Sequence, residues 1–470
     1  MLTSGCVGLP PYAPEIVEST SSSGTGELVS SDVADGTLDE GTTPGSDTTA
    51  GSVDGIAKLD LVIVIDNTDS MGTKQLILTR SLPWLVEHLE TLTDSGGMPV
   101  ELDAHVMVTT TDFGNPLCTP FEPLGYEPAR GAPTSSSCTT RLADFTNLTG
   151  MISMPEVCTE LCPEPVAPDD RYIAFGPEGD NIPDSVAPFD IDGDGDLDSP
   201  VARGLACIAP QGLNGCGYES PLETMLQALN PDADWNAGPS GFFRGDAMLA
   251  IVIVTDEADC SVRDYTIMED AAFQNINPAS MMPGPSSAIC WNAGVTCSGP
   301  DGNGVYSDCA AQSTESLNPL SRYLGYLTDQ LRGVQGKEVM MLGILGVPLV
   351  TARDPNPPFE PTAGGVLDLV YRDWRDGQYP AGDVLPEEWA MGVDAADLQF
   401  AFGIGPGCTG TTSMGEIIGR GIPPVRIKEV CQALDLGPSA EDTRCIIESI
   451  CDDDYTLAFQ GLMGMIATSL

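Results

Sequence analysis

An apolar run that passes directly into an oxygen-rich turn constrains this chain more than any other feature. Leu61–Ile65 reads Leu-Val-Ile-Val-Ile, and the turn after it holds Asp66, Thr68 and Ser70 at alternating positions. A short, continuous, mostly β-branched run is typical of a strand buried on both faces. Carboxylate and hydroxyl oxygens are the ligands that Mg²⁺, Mn²⁺ and Ca²⁺ prefer. The segment therefore predicts a cation site where a buried strand ends.

Strand patterns alternate with helix patterns along the rest of the chain. Strands are expected at 61–65, 102–109, 250–255 and 338–347, and helices at 73–92, 220–229, 320–331, 426–434 and 455–470. This alternation predicts an α/β fold with a doubly wound, mainly parallel sheet flanked by helices. Two stretches rich in Cys, Pro and Gly, at about 112–200 and 264–318, are expected to be long disulfide-rich insertions.

The first 57 residues differ in composition from the rest. Residues 10–55 are rich in Ser, Thr, Gly, Asp and Glu and poor in large apolar side chains, so they cannot bury enough surface to fold. Leu2–Cys6 resembles the end of a bacterial lipoprotein signal, in which a small residue precedes the lipidated cysteine. That resemblance implies lipidation of Cys6. We therefore expect 1–57 to be a truncated signal remnant with a disordered acidic tether, and 58–470 to form one domain.

The chain has 15 cysteines but only two histidines, so few candidate ligands are available for a mixed Cys/His zinc site. Scattered cysteines in an acidic chain indicate disulfides and an oxidising compartment. With Cys6 set aside, the other 14 can form seven bridges. Local pairing is expected for four pairs that are close in sequence, Cys158/Cys162, Cys207/Cys216, Cys290/Cys297 and Cys445/Cys451. The predicted location is extracytoplasmic, either secreted or as an outer-membrane lipoprotein of a bacterium.

The net charge of −50 excludes two classes of partner. Nucleic acids need Lys and Arg patches for their phosphates, and an anionic membrane surface would repel the chain. No apolar run reaches the length of a membrane span. Membrane attachment is therefore expected only through the N-terminal lipid.

A second aspartate stands where a later strand ends. The run Ile251–Thr255 is followed by Asp256, Glu257 and Asp259. In an open parallel sheet, ligands bind outside the carboxyl ends of the strands. If this strand neighbours Leu61–Ile65, Asp66 and Asp256 lie at the same edge.

These two segments together resemble a von Willebrand factor type A domain. The metal-ion-dependent adhesion site of that family begins with Asp-x-Ser-x-Ser, which here reads Asp66-Asn67-Thr68-Asp69-Ser70, and its later Thr-Asp matches Thr255-Asp256. The resemblance implies direct coordination of a metal by Thr68 and Ser70. Asp66 and Asp256 would act through water or hydrogen bonds, and an acidic group from a partner would complete the metal's coordination.

The chain departs from the family pattern in one loop. The family has a Thr before a middle helix, but Gly215–Ser220 contains none. Glu219 is the candidate oxygen ligand there, because Ser220 is expected to cap the helix that follows. The extra carboxylate, with Asp69, Glu257 and Asp259 nearby in sequence, would favour Ca²⁺ and weaken the capture of an acidic partner.

A separate Asp-rich loop is a second candidate cation site. Its carboxylates alternate with other residues and match ligand positions of an EF-hand-type loop, with Gly195 at the sharp turn. Val201 stands where the bidentate acid would be. The spacing favours a structural Ca²⁺ site over a solvated acidic loop. The five candidate ligands are Asp190, Asp192, Asp194, Asp196 and Asp198.

The predicted function is binding rather than catalysis. The chain has no Gly-x-Ser-x-Gly elbow and no phosphate-binding loop, and neither His88 nor His105 lies near a nucleophile motif. The cysteines around the motifs look like those of a group of secreted bacterial proteins with this domain. We therefore expect an adhesion protein that uses Mg²⁺ or Ca²⁺ to contact a protein or surface ligand. The alternatives are a metal-dependent hydrolase and a structural envelope protein with a vestigial metal site.

Overall fold

A computed structural model describes residues 56–470 except 187–188, 192, 194, 313–315, 376–394 and 416. The strands are β1 Ile56–Ile65, β2 Glu101–Thr110, β3 Ile173–Gly176, β4 Gly179–Asp180, β5 Met248–Val254, β6 Asn275–Asn277, β7 Met282–Gly284, β8 Val295–Ser298, β9 Val305–Ala311, β10 Val339–Leu345, β11 Val350–Arg353, β12 Pro361–Gly364, β13 Tyr371–Arg372, β14 Cys408–Thr411, β15 Ile417–Gly421 and β16 Cys445–Ser449. The α-helices are α1 Gly72–Glu90, α2 Glu156–Thr159, α3 Pro200–Ile208, α4 Pro221–Ala228, α5 Ala288–Gly294, α6 Leu320–Leu324, α7 Ala395–Phe402, α8 Val425–Gln432 and α9 Thr456–Thr468. A π-helical segment, Gly325–Val334, continues α6.

The main sheet has seven strands in the order β16-β10-β5-β1-β2-β3-β4. The first five are parallel to one another, whereas β3 and β4 add an antiparallel edge beyond β2. The prediction of a mainly parallel sheet with flanking helices is therefore confirmed. The antiparallel edge comes from within 112–200, so this stretch contributes strands to the sheet.

Helices cover both faces of the sheet, as the continuous apolar run of β1 requires. Leu61 and Ile63 point into one core, which they share with apolar residues of α1, α3 and α9. Val62 and Val64 enter the other core with residues of α4, α6 and α8. Successive side chains of a strand point to opposite faces, so a strand covered on both sides must be apolar at every position. This explains why the second half of β1, Leu61–Ile65, shows no alternation of polar and apolar residues.

Seven disulfides join all the cysteines after Cys6. The number of disulfides agrees with the seven expected for 14 cysteines, but all four predicted local pairings are wrong. The bonds span from 12 to 98 residues of sequence, so a short separation does not by itself select a partner, because pairing requires the two Cα atoms to lie within reach in the fold. The bonds are Cys118–Cys216, Cys138–Cys158, Cys162–Cys207, Cys260–Cys290, Cys297–Cys309, Cys408–Cys451 and Cys431–Cys445. Within the described ranges, no helix is long and apolar enough to cross a membrane.

Candidate functional site

The two aspartates that follow buried strands lie side by side. β1 pairs with β5 in parallel register, with Ile65 opposite Val254. The backbone N–H of Asp66 donates to the carbonyl of Val254 at 2.9 Å. This edge is a topological switch point of the sheet, since β2 lies on one side of β1 and β5 lies on the other. Asp66 and Asp256 therefore lie at the carboxyl edge of adjacent strands, where ligands bind in open α/β sheets.

The carboxylate of Asp66 is buried and organises the turn that follows it. Its Oδ1 accepts hydrogen bonds from the backbone N–H and the hydroxyl of Thr68, at 2.9 and 2.7 Å. Its Oδ2 accepts from the hydroxyl of Thr255 at 2.6 Å. Burial and the nearby charge of Asp256 raise the pKa of Asp66 to about 7. Asp66 thus orients the Thr68 hydroxyl from beneath the turn.

The turn connects to Asp256 through its second hydroxyl. Ser70 Oγ donates to Asp256 Oδ1 at 3.0 Å, and the hydroxyl oxygens of Thr68 and Ser70 lie 3.4 Å apart. The Thr68 and Ser70 protons are directed to carboxylates, which leaves oxygen lone pairs available to a cation. Asp66, Thr68, Ser70 and Asp256 therefore form the connected group that the sequence predicted.

Lys74 belongs to this group and was missed from the sequence. Its side chain is fully buried and its ammonium donates to Asp256 Oδ2. It also donates to the carbonyls of Ser70 at 3.2 Å and Arg420 at 3.0 Å. The available signal was its position four residues after Ser70, which places it one helical turn away in α1. Asp256 is thus bonded through both carboxylate oxygens.

Glu219 reaches the same edge from a loop that is anchored at several points. The N–H of Gly215 donates to the carbonyl of Asn67 at 2.8 Å, and the N–H of Ser220 donates to the carbonyl of Thr111 at 2.9 Å. Glu219 is only 1% exposed, and its Oε1 has no hydrogen-bond partner among the residues that the structure covers. Burial, followed by the charge of Asp66, raises the pKa of Glu219 well above its ordinary value. A buried carboxyl oxygen without a partner is costly unless something else binds it.

The expected cap of the following helix, α4, is different in the structure. The hydroxyl of Ser220 donates to the carbonyl of Cys260 rather than capping the helix. Asp259 accepts from the backbone N–H of Leu222 at 3.3 Å instead, and it pairs with the buried guanidinium of Arg426 at 2.9 Å. Asp259 therefore supports α4 and contributes to packing, so the expectation that it adds charge to the metal site is wrong.

Two further acidic residues do lie at the site. Asp69 is exposed and accepts from the amide of Asn147 at 3.0 Å. Glu257 is half-buried, and burial together with Asp256 raises its pKa well above the ordinary value. Both line a pocket of about 380 Å³ that also includes Thr68, Ser70 and Glu219. The other walls include aromatic side chains, the cationic Arg420 and two serines; these residues are Tyr218, Phe400, Phe402, Arg420, Ser286 and Ser287.

The arrangement concentrates carboxylates and hydroxyls around one pocket at the sheet's edge. In the described part of the chain, no group of three or more His, Cys, Asp or Glu side chains is arranged to hold a metal ion. The candidate donor set here is mixed, with the hydroxyls of Thr68 and Ser70 beside the carboxylate of Glu219. Such all-oxygen sets suit Mg²⁺ and Ca²⁺.

The second predicted cation loop is covered only in part, because Asp192 and Asp194 lie outside the described residues, as does Cys6. Asp190 accepts from the backbone N–H groups of Gly193 at 2.7 Å and Gly195 at 3.2 Å. Asp196 and Asp198 line a pocket of about 240 Å³ with Glu87 and Glu90 of α1.

Comparisons of the chain with protein-family models, with curated proteins and with solved structures found no match.

Proposed function

We propose that this chain is an extracytoplasmic binding protein with a von Willebrand factor type A domain and a metal-dependent adhesion site. The observation that carries the proposal is the hydrogen-bonded group of Asp66, Thr68, Ser70 and Asp256 at the carboxyl edge of β1 and β5. The sheet order supports it, since both motif halves come from adjacent parallel strands.

The residues of the pocket fit a divalent cation. Thr68 and Ser70 offer hydroxyl lone pairs, and Glu219 offers a buried carboxyl oxygen without a hydrogen-bond partner among the described residues. Asp66 and Asp256 hold the two hydroxyls in place. A bound Mg²⁺ or Ca²⁺ would supply a Lewis acid that accepts a carboxylate from a protein or surface ligand. The pocket beside it gives space for such a group.

The disulfides support an extracytoplasmic location, because bonds of this number persist in oxidising compartments. Secretion with a lipid on Cys6 fits this location and remains part of the proposal. The Asp-rich loop would hold a separate, structural Ca²⁺.

Calorimetric titration with MgCl₂ and with CaCl₂ tests the proposal. We expect binding by the natural chain and at least about tenfold weaker binding by Asp66→Ala, since the Thr68 hydroxyl loses the group that orients it. Asp184→Ala is the matched control, because it makes the same substitution at an exposed carboxylate in the segment after β4. Equal affinities in all three proteins would contradict the proposal.

Two further assays separate the alternatives. Screening on phosphoesters and peptides with and without EDTA would reveal a metal-dependent hydrolase. Partner pull-down with and without Mg²⁺ would distinguish adhesion from a structural envelope protein with a vestigial site.

A further inference from the structure

Lys74 is a fully buried cation at the candidate metal site. Its three hydrogen-bond acceptors are Asp256 Oδ2 and the carbonyl oxygens of Ser70 and Arg420. An ammonium group has three N–H donors, so the three acceptors satisfy it completely. The side chain is therefore held in direct contact with Asp256.

The ammonium approaches Asp256 on the oxygen that does not face the hydroxyls. Ser70 Oγ occupies Asp256 Oδ1, whereas Lys74 occupies Oδ2. None of the three acceptors of Lys74 is a side-chain oxygen of Thr68 or Glu219. Lys74 therefore offsets the charge of Asp256 at the oxygen that Ser70 does not contact. This leaves the hydroxyl lone pairs of Thr68 and Ser70 available to another cation.

From the sequence, Glu219 is expected to weaken the binding of an acidic partner. The positive charge of Lys74 at the same site acts against that effect. The family pattern has two aspartates and a Thr, so a divalent ion brings the site to zero charge. Here an ionised Glu219 adds one negative charge and the Lys74 ammonium adds one positive charge. With a divalent ion bound and the three carboxyl groups ionised, the group of Asp66, Asp256, Glu219 and Lys74 is again neutral. At the rim of the pocket, the positive charge of Arg420 likewise partly offsets the negative charge of Glu257.

We propose that Lys74 is a resident cation that offsets Glu219, so that a divalent ion at this site keeps enough positive charge to bind a carboxylate ligand. The inference rests on the proposed function. Without Lys74, the pocket would hold a divalent ion more tightly but would repel a carboxylate. Without Glu219, it would hold the ion more weakly. Lys74 thus sets the balance between metal affinity and ligand affinity.

A charge-compensation cycle tests this inference. Mg²⁺ is titrated into the natural chain, Lys74→Met, Glu219→Gln and the double variant. We expect Lys74→Met to lower the Mg²⁺ Kd about tenfold and Glu219→Gln to raise it about tenfold, with the double variant within about threefold of the natural chain. Lys74→Arg keeps the charge and is expected to lie within about threefold of the natural chain.

The same titrations in sodium acetate and in sodium chloride measure carboxylate binding. Acetate should lower the apparent Mg²⁺ Kd of the natural chain and of the double variant, but not that of Lys74→Met. Lys74→Gln, which keeps donors for Asp256, replaces Lys74→Met if thermal melting shows that the latter does not fold. A neutral Lys74 variant that binds Mg²⁺ more weakly or equally well would overturn the inference. If the natural chain binds neither Mg²⁺ in these titrations nor Ca²⁺ in an Asp66-dependent manner, the proposed function itself is refuted.

Discussion

Two aspartates on one segment, three residues apart, are expected to respond differently to the same substitution. Asp256 bonds to Ser70 and Lys74 at the candidate metal site. Asp259 instead accepts from Ser261 Oγ at 2.6 Å and from Arg426 Nε at 2.9 Å. Changing each aspartate to Asn removes one charge and almost no volume, so the comparison separates a binding role from a supporting role.

The expected cost of Asp259→Asn follows from the burial of its partner. The side chain of Arg426 is 2% exposed and that of Asp259 is 0% exposed. Removing one member of a buried ion pair leaves an uncompensated charge, which costs about 3–5 kcal/mol of unfolding free energy. At about 2.1 cal/mol/K of unfolding entropy per residue, a domain of about 400 residues has about 0.8 kcal/mol/K, so the Tm should fall by about 4–6 °C.

The assay combines thermal melting by circular dichroism with calorimetric Mg²⁺ titration at 25 °C. Asp259→Asn should melt earlier, yet bind Mg²⁺ within about threefold of the natural chain. Asp256→Asn should raise the Mg²⁺ Kd at least about tenfold, because Ser70 and Lys74 both lose their charged partner. Equal weakening of Mg²⁺ binding by both variants, or an unchanged Tm for Asp259→Asn, would refute this division of roles.

Three other outcomes follow from the structure. Peptide mapping without reduction should recover the Cys118–Cys216 bond, and recovery of a Cys207–Cys216 bond would contradict the fold. Burial lowers the pKa of Lys337 from 10.5 to about 8, so the folded chain binds fewer protons than the unfolded chain between these values. Unfolding free energy should therefore gain a rising contribution with pH in that window, and urea titrations of Lys337→Met should lack it; parallel profiles would count against this assignment. In an Asp66→Ala background, CaCl₂ should raise the Tm, and Asp190→Asn should reduce that rise. An identical rise in both proteins would show that the Asp-rich loop is not the Ca²⁺ site.

The main strands and the first half of the site could be predicted because their signals are local. The run before Asp66 is apolar at every position, which requires burial on both faces, and its end is marked by oxygen-bearing side chains. The link to Asp256 needed only one added assumption, that the two strands are neighbours. The sheet order confirms that assumption.

Other features could not be predicted because they depend on contacts between distant segments. Lys74 lies on a helix whose sequence reads as amphipathic, yet its ammonium is buried against a carboxylate 182 residues away. Asp259 and Glu257 both lie within three residues after Asp256, but the side chain of Asp259 bonds to Arg426, which is 167 residues away. The disulfide partners are likewise set by the folded sheet rather than by spacing.

By itself, the sequence determined the alternation of strands and helices and the oxygen-rich turn after β1, since periodicity and turn chemistry are properties of neighbouring residues. Only the tertiary structure decided which charges meet. It placed Lys74 against Asp256 and Glu219 in the wall of the pocket, and it paired Asp259 with Arg426 instead. The physical reason is that buried charges must find partners in space, and those partners come from segments that the fold brings together.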